Sequence, residues 1–459
     1  MKNIAVILAG GSGNRLNAGI PKQFLKLAGK TILEHTISVF QKNGNIDEIA
    51  VISNRNYVQE VENLVIKNAF TKVKKILNGG DERYESTMAA LNAYDQDENN
   101  LLIHDAVRPL VDDRIINETL EALKEFDAVD TAVPATDTII ETDTTFNFIQ
   151  QIPDRNYLYK GQTPQAFKAG VLRKAYALAL QDPHFKTTDD CGVVKKYLPD
   201  VKIRVVRGDN QNMKLTYKED FFLLDKLFQI KGTAFDNIAL SDADKSVLKS
   251  KVIVVFGGSQ GIGKDIADLC SAAKAKIYSF SRSSTNTDIS KREDVKAALE
   301  LVFQQEHRID WVINTAAVLN KEPLYHMDYD SINAGIDINY KGAVIIAKES
   351  FPFLKASEGH LLFFTSSSYT KGRMNYSIYS STKCAIVNFV QAIADEWDNF
   401  HIKVNCINPE RTKTPMRTKN FGTEPDNTLL TSEEVARHSL KVLLSDFTGL
   451  TVDVKLQKI

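Results

Sequence analysis

Short apolar runs recur along the chain, separated by amphipathic stretches. In the first half they are NIAVILA, IDEIAVIS, NNLLIHD and DTAVPA; in the second, KVIVVFGG, AKIYSFS, DWVINTA, HLLFFTS and IKVNCIN. Runs of this kind read as buried strands, and their alternation with helical stretches predicts parallel α/β sheets in both halves. Residues 209–229 predict a strand followed by a helix. The next stretch, KGTAFDNIALSDADKSVLKS, loses periodicity and gains small and polar residues. The pattern therefore predicts a first domain over 1–230, a linker over 231–248 and a second domain over 249–459. No internal repeat is visible.

A chain of 459 residues is long for one core and fits two domains of common size. With 43% hydrophobic and 25% charged residues it falls in the globular class. A formal net charge of −1 offers nucleic acid no basic face, so no nucleic-acid partner is expected. Cys191, Cys270, Cys384 and Cys406 form no Cys-x-x-Cys pair, and the eight histidines show no metal-ligand spacing. No apolar stretch reaches the ~18 residues of a membrane span. The opening MKNIAVILAGG enters a strand at once and leaves no room for a signal peptide. A reduced, cytoplasmic protein without a membrane partner is expected.

Two glycine-rich turns bring in the chemistry. LAGGSGNRLNAGIPKQF starts at Leu8 and VIVVFGGSQGIGKDIA at Val252, each directly after or within an apolar strand. Such turns let backbone N–H groups approach phosphate oxygens. The first adds the cations Arg15 and Lys22, which suit the charge of a triphosphate in a transition state. It is not a Walker A loop, because the Gly-Lys-Ser/Thr ending is absent.

LAGGSGNR, PKQF, GGDERYEST, HDAVRP, TDTI, PDRNYLYKGQTPQAF, TDD and NMKLT occur in the order found in the cytidylyltransferases that activate sugar-alcohol phosphates. Residues 1 to about 228 resemble that family, which includes the enzymes for 2-C-methyl-D-erythritol 4-phosphate and ribitol 5-phosphate. The resemblance implies a nucleotidyltransferase-type α/β sandwich. It puts Leu8, Ala9, Gly10, Gly11, Gly13, Arg15 and Lys22 at the CTP phosphates, with Arg15 and Lys22 stabilising the transition state. It gives Gly80, Asp81 and Ser86 to the cytosine and ribose, and Lys214 to the α-phosphate. Asp105 would face the substrate or a Mg²⁺ ion. Thr138, Arg155 and Thr163 would bind the acceptor, in or beside an arm that crosses a dimer partner in the methylerythritol relatives. Arg108 and Lys26 read equally well as ligands or as structural or surface charges, and Asp189 and Asp190 read first as helix caps and only second as substrate contacts. Gly161 and Gln162 depart from the family's apolar residue before Thr-Pro-Gln.

The second turn has glycines at 257, 261 and 263, in the spacing Gly-x-x-x-Gly-x-Gly, opening a helix whose positive end suits a pyrophosphate. Asp-Ile-Ser at 288–290, Asn-Thr-Ala-Ala at 314–317, Asn339, the serines 366–368 and Tyr379-x-x-x-Lys383 follow. Four residues apart on a helix share a face, so Lys383 is expected to lower the pKa of the Tyr379 phenol. Together these resemble the short-chain dehydrogenase/reductases, and so a Rossmann-type doubly wound parallel sheet. The resemblance makes Tyr379 the proton donor, Ser366 (or Ser367 or Ser368) the residue orienting the carbonyl, Asn339 the holder of a relay water, and Lys383 a ribose ligand as well. Gly257, Ser259, Gln260, Gly261, Ile262, Gly263, Asp288, Asn314, Ala316, Pro409 and Thr414 would bind the cofactor. Arg282, with no nearby carboxylate in sequence, suits a 2′-phosphate, so NADPH is expected over NADH. Asn-Thr-Ala-Ala and Pro409-Glu410 depart from the usual Asn-Asn-Ala-Gly and Pro-Gly. Arg411, Lys413 and Arg417 cluster around Thr414, which fits either a phosphorylated substrate or a solvated charge run.

A transferase for alditol phosphates needs an alditol phosphate, and a ketose phosphate reductase makes one. The whole chain thus resembles the bifunctional enzymes of bacterial capsule synthesis. They reduce D-ribulose 5-phosphate with NADPH to D-ribitol 5-phosphate and couple it to CTP, giving CDP-ribitol and pyrophosphate. Other pentitol or tetritol phosphates, or a second half that only senses NADPH, are the alternatives. Both families imply a homo-oligomer, a dimer or larger.

Overall fold

In a computed structural model the described residues are 1–11, 20–231 and 238–456. The chain forms two compact units, Met1–Asp225 and Lys226–Ile459.

The first unit is built on a seven-stranded sheet. Its strands are β1 (Asn3–Ala9), β2 (Glu48–Ser53), β3 (Val73–Asn78), β4 (Asn100–Asp105), β5 (Ala128–Pro134), β6 (Tyr159–Lys168) and β7 (Ile203–Arg207), in the order β7-β5-β6-β4-β1-β2-β3. Both faces are covered, which explains the unbroken apolar runs. Ala5, Ile7 and Ala9 of β1 join Leu33, Ile37 and Phe40 on one side. Ile4 and Val6 join Ala90, Leu91 and Leu172 on the other. Each Val, Leu, Ile or Phe among them contributes about 1.5–3 kcal/mol by leaving water. Helix α1 (Arg83–Ala93) follows β3, and α2 (Asp190–Tyr197) precedes β7.

The expectation of a parallel sheet needs correction here. β6 runs antiparallel to both β4 and β5. β5 reaches β6 through residues 135–158, which contain a small hairpin (Glu141–Thr142 with Ile149–Gln151) instead of a crossover helix. A return of that kind reverses direction.

The second unit has a six-stranded sheet, parallel throughout: β8 (Val252–Phe256), β9 (Lys276–Phe280), β10 (Trp311–Asn314), β11 (His360–Phe364), β12 (Lys403–Pro409) and β13 (Thr451–Val454), in the order β9-β8-β10-β11-β12-β13. Part of the stretch expected to be linker is helical: α3 (Asp242–Lys249) starts at a Ser241/Asp244 capping box and buries Leu248. That box and one apolar anchor suffice for a two-turn helix without long periodicity. Residues 232–237 of the same stretch lie outside the described residues.

In both sheets the chain runs outward from the first strand and then crosses to its other side. β1 lies between β2 and β4, and β8 between β9 and β10. Ligands of open α/β sheets bind at such reversals, beyond the strand carboxyl ends. Both glycine turns stand there.

Candidate active sites

In the first unit Leu8 and Ala9 end β1, and Gly10 and Gly11 begin the turn. Gly13 and Arg15, both expected at the CTP phosphates, lie outside the described residues. The turn is tied down by Gln23. Its buried amide donates to Ala9 O at 2.7 Å and to Gly11 O at 3.1 Å. Sequence reasoning gave Gln23 no role, although it sits in the quoted Pro-Lys-Gln-Phe. Lys22 donates to Leu215 O at 2.9 Å, which brings it to the Asn-Met-Lys-Leu-Thr segment. Across from the turn, a Cβ on Gly10 would come 3.4 Å from the Ser86 Oγ of α1. One on Gly79, a further residue unassigned from sequence, would press on the same oxygen at 2.8 Å. A Cβ on Gly80 would collide with Glu85 at 2.3 Å, and Asp81 is exposed beside it.

Asp105 ends β4 and is the electrostatic centre. Lys214 Nζ lies 3.0 Å from its Oδ2 and Arg108 Nε 3.4 Å. Burial works against its charge, but Lys214, Arg83 and Arg108 outweigh that and hold the carboxyl well below the usual range. Arg108 also donates to Asn212 O at 2.8 Å and is buried, which fits the structural reading. Behind Asp105 runs a relay of hydrogen bonds. Asp105 N–H donates to Thr163 Oγ1 (3.1 Å), Thr163 hydroxyl to His104 Nδ1 (3.0 Å), and His104 Nε2 to Arg108 O (3.1 Å). The carbonyl acceptor fixes the imidazole tautomer. Burial lowers the His104 pKa to about 4, which keeps the ring neutral.

Thr163 therefore sits buried in β6 against Asp105, apart from the other two expected acceptor ligands. Thr138 and Arg155 are on the exposed connection 135–158, where Arg155 donates to Thr136 O at 3.2 Å. Ile139, Ile140, Phe146, Phe148, Ile152 and Tyr157 are exposed on that connection too. Asp189 caps α2 through Gly192 N (2.9 Å). Asp190 does not cap: fully buried, it accepts from Arg83 and from Tyr176 Oη.

In the second unit one cavity of about 420 Å³ runs along the strand ends, within the usual range for ligand pockets. Gly257, Ser259, Gln260, Gly261, Ile262, Gly263, Arg282, Asp288, Ala316, Ser366, Tyr379, Lys383, Pro409 and Thr414 all line it. Gly257 has φ +87° and Gly261 φ +57°, conformations that favour glycine. A Cβ on Gly263 would lie 2.3 Å from Thr315 Oγ1 and 2.5 Å from Gly257 O. Helix α4 (Gly261–Ala272) starts here, and its N-cap Gln260 makes no side-chain cap. First-turn N–H groups thus face a space that a phosphate fits. Thr315 holds the turn by donating to Phe256 O and Gly257 O, both at 3.1 Å. This is what the unusual Asn-Thr-Ala-Ala achieves, and it was not foreseen. Asn314 is buried behind the cavity, accepting from Ala316 N. Thr414 caps α6 (Pro415–Phe421; α5 is Ser377–Glu396) through Arg417 N and faces Gly261.

Arg282 lines the outer end with Ser281 and Ser283, and Asp288 shares that end. The absence of a nearby carboxylate, inferred from sequence, therefore does not hold in space: the charge of Arg282 is one of those that lower the Asp288 pKa against burial. The two form no ion pair among the described residues.

At the other end Ser366 is the serine that hydrogen-bonds Tyr379. Ser367 binds Arg373, and Ser368 is buried and donates to Ser366 Oγ at 3.3 Å. Lys383 Nζ lies 5.6 Å from the Tyr379 ring centre and donates to Phe364 O at 2.9 Å. Asn339, in a π-turn, spends its amide on Val318 N (2.8 Å) and Val318 O (2.9 Å), and lines a small cavity beside Tyr379. The expected lowering of the Tyr379 pKa is not what the geometry gives. Burial pushes the phenol up to about 12, with Ser366 opposing, and burial pushes Lys383 down to about 8. Desolvation leads in both, and neither shift is caused by the other group's charge.

Residues 3–229 match the 2-C-methyl-D-erythritol 4-phosphate cytidylyltransferase family and residues 281–425 the short chain dehydrogenase family. The bifunctional ribulose 5-phosphate reductase/CDP-ribitol pyrophosphorylase of Haemophilus influenzae is 47% identical, over 99% of this chain and 96% of that protein. The chain belongs to this bifunctional family. Its first unit is a cytidylyltransferase and its second a short-chain reductase. Over the first unit alone, the 2-C-methyl-D-erythritol 4-phosphate cytidylyltransferase of Thermobifida fusca is 41% identical, covering 49% of this chain and 92% of the relative. The ribitol-5-phosphate cytidylyltransferase of Lactiplantibacillus plantarum is 36% identical, covering 49% and 97%. No described helix is long and apolar enough to cross a membrane.

Proposed function

We propose that the protein makes CDP-ribitol in two steps: NADPH-dependent reduction of D-ribulose 5-phosphate to D-ribitol 5-phosphate, then cytidylyl transfer from CTP with release of pyrophosphate. The observation that carries this is the pairing of two sites on one chain, Asp105–Lys214 beside the first glycine turn and Ser366–Tyr379–Lys383 beside the second. A full-length relative named for both activities supports it.

In the reductase, the nicotinamide cofactor supplies hydride to the carbonyl carbon when bound. Ser366 orients the carbonyl oxygen, and Tyr379 Oη gives it a proton. Held at about 12, the phenol stays protonated across the neutral range, as an acid must. Charged Lys383 opposes build-up of negative charge on Tyr379 and donates to the ribose. Arg282 with Ser281 and Ser283 suits a 2′-phosphate, which favours NADPH over NADH.

In the transferase, an oxygen of the ribitol 5-phosphate attacks the α-phosphorus of CTP, and the bond to pyrophosphate breaks. Lys22, Lys214 and Arg15 would neutralise charge on the phosphates. Asp105 is ionised and would hold Mg²⁺ together with phosphate oxygens, and the ion would add further neutralisation there. Gly10 and Gly11 suit the CTP phosphates, and Ser86, Gly80 and Asp81, across from the turn, suit the cytosine and ribose.

The exposed apolar connection 135–158, with Thr138 and Arg155 on it, suits contact with a second copy of the chain, so a homodimer or larger oligomer is proposed. The product fits supply of ribitol phosphate for a capsule or related surface polymer, made in the cytoplasm. Replacing Tyr379 by Phe tests the division of labour. NADPH oxidation should fall by about 10²–10⁴-fold while pyrophosphate release from CTP and D-ribitol 5-phosphate persists. Undiminished NADPH oxidation would overturn the reading.

A further inference from the structure

The reductase cavity carries five cations: Arg282, Arg373, Lys383, Arg411 and Arg417. Their partners sort them. Lys383 is buried beside Tyr379 and bound to Phe364 O. Arg417 is held by Glu424 through two bonds, of 2.6 and 2.8 Å. Arg411 shares the field of Glu424. Lys413, a neighbour in sequence, is paired with Asp426 at 2.8 Å. The run around Thr414 is thus mostly neutralised by its own acids. Arg282 belongs to the outer end, with β9.

Arg373 has none of these commitments: it is not buried at Tyr379, not held by Glu424 and not at the outer end. It makes no ion pair among the described residues and donates only to a neutral oxygen, Ser367 Oγ at 2.9 Å. It is exposed at the cavity wall, on the turn between the serine run and α5. The turn is itself braced, since Tyr376 N donates to Arg373 O and Glu322 N to Asn375 O. β9, which precedes Arg282, and β11, which precedes Arg373, are three strand spacings apart, about 14 Å. The two guanidinium groups therefore serve different ends of the cavity.

We propose that Arg373 is the phosphate clamp of the reductase, the residue that selects a phosphorylated ketose over the free sugar. Resting on the assignment of D-ribulose 5-phosphate as substrate, it adds how that substrate is told apart. One serine run carries both handles: Ser366 faces Tyr379 and the carbonyl, and the next residue, Ser367, aims Arg373. In a pentulose 5-phosphate, three carbon–carbon bonds separate the carbonyl carbon from the carbon bearing the phosphate, so the handles must be close neighbours. A guanidinium without a carboxylate can present two parallel N–H donors to a phosphate dianion.

The test compares kcat/KM for D-ribulose 5-phosphate and for D-ribulose in the intact protein, in Arg373→Ala and in Arg373→Lys. Loss of a hydrogen bond to a charged group predicts a fall of about 10- to 100-fold on the phosphorylated sugar for Arg373→Ala. The loss should be carried mainly by KM, so that the preference for ribulose 5-phosphate over ribulose shrinks by the same factor. Arg373→Lys should recover part of it, and KM for NADPH should not follow. An equal loss on both sugars, no loss, or a loss carried by KM for NADPH would overturn the clamp. If the intact protein oxidises no NADPH with ribulose 5-phosphate, the substrate assignment falls by itself. Calorimetric titration with inorganic phosphate in the presence of NADPH then decides the clamp. A binding increment lost in Arg373→Ala sustains it, and identical titrations refute it.

Discussion

Raising the pH from 7 to 10 should switch off the reductase, and the structure sets where. Lys383 is buried, and burial lowers its pKa from the ordinary 10.5 to about 8. At 1.36 kcal/mol for each pKa unit, its ammonium form is disfavoured by about 3 kcal/mol relative to water. The phenol of Tyr379 moves the other way, to about 12, and so remains a proton donor over the whole range. The sign follows. Below about 8 Lys383 is charged and the pair is competent; as pH rises through 8 the charge is lost while the acid remains. NADPH oxidation should be measured with NADPH below its KM, so that the groups of the free enzyme are read. Above pH 7 the sugar phosphate, with a second pKa near 6, is already fully ionised and adds no slope. The rate should be level to about pH 8 and fall about tenfold for each further pH unit. A level profile to pH 10, or a rate that rises through pH 8, would refute the role given to buried, charged Lys383.

Gln23→Leu keeps the volume but leaves Ala9 O and Gly11 O without their buried donor; kcat/KM for CTP should fall about 10- to 100-fold, read as pyrophosphate release. Gly263→Ala forces a Cβ to within 2.3 Å of Thr315 Oγ1. It should destabilise by about 1–3 kcal/mol and weaken NADPH binding at least about tenfold, measured by fluorescence titration. Asp190→Ala strands Arg83 and Tyr176 Oη at a fully buried site. A cost of about 3–5 kcal/mol should lower the temperature at which cytidylyltransferase activity is lost by about 10 °C.

The strands and the second glycine turn were legible because each is a local signal. An unbroken apolar run means burial on both faces, and Gly257 and Gly261 occupy backbone conformations that few other residues tolerate. What escaped depends on contacts distant in sequence. The direction of β6 is set by the 135–158 return, whose motifs mark an arm but not the sense in which the chain re-enters the sheet. Thr163 looks like part of the acceptor arm in the linear motif, yet the relay through His104 places it behind Asp105, 58 residues away in sequence. Gln23 acts on the turn only once the chain has folded back on Ala9 and Gly11. Helical spacing put Tyr379 beside Lys383 correctly, but it could not show that burial rather than their proximity sets both pKa values. The hairpin arm exposes isoleucines and phenylalanines, which suits the proposed contact with a second copy.

The most direct test of the two-step account follows A340 and pyrophosphate together in one reaction holding the purified protein, NADPH, CTP, Mg²⁺ and D-ribulose 5-phosphate. NADPH should be consumed, pyrophosphate should appear, and leaving out NADPH should abolish pyrophosphate release until D-ribitol 5-phosphate is added. Pyrophosphate released from D-ribitol 5-phosphate while NADPH stays untouched by D-ribulose 5-phosphate would contradict it.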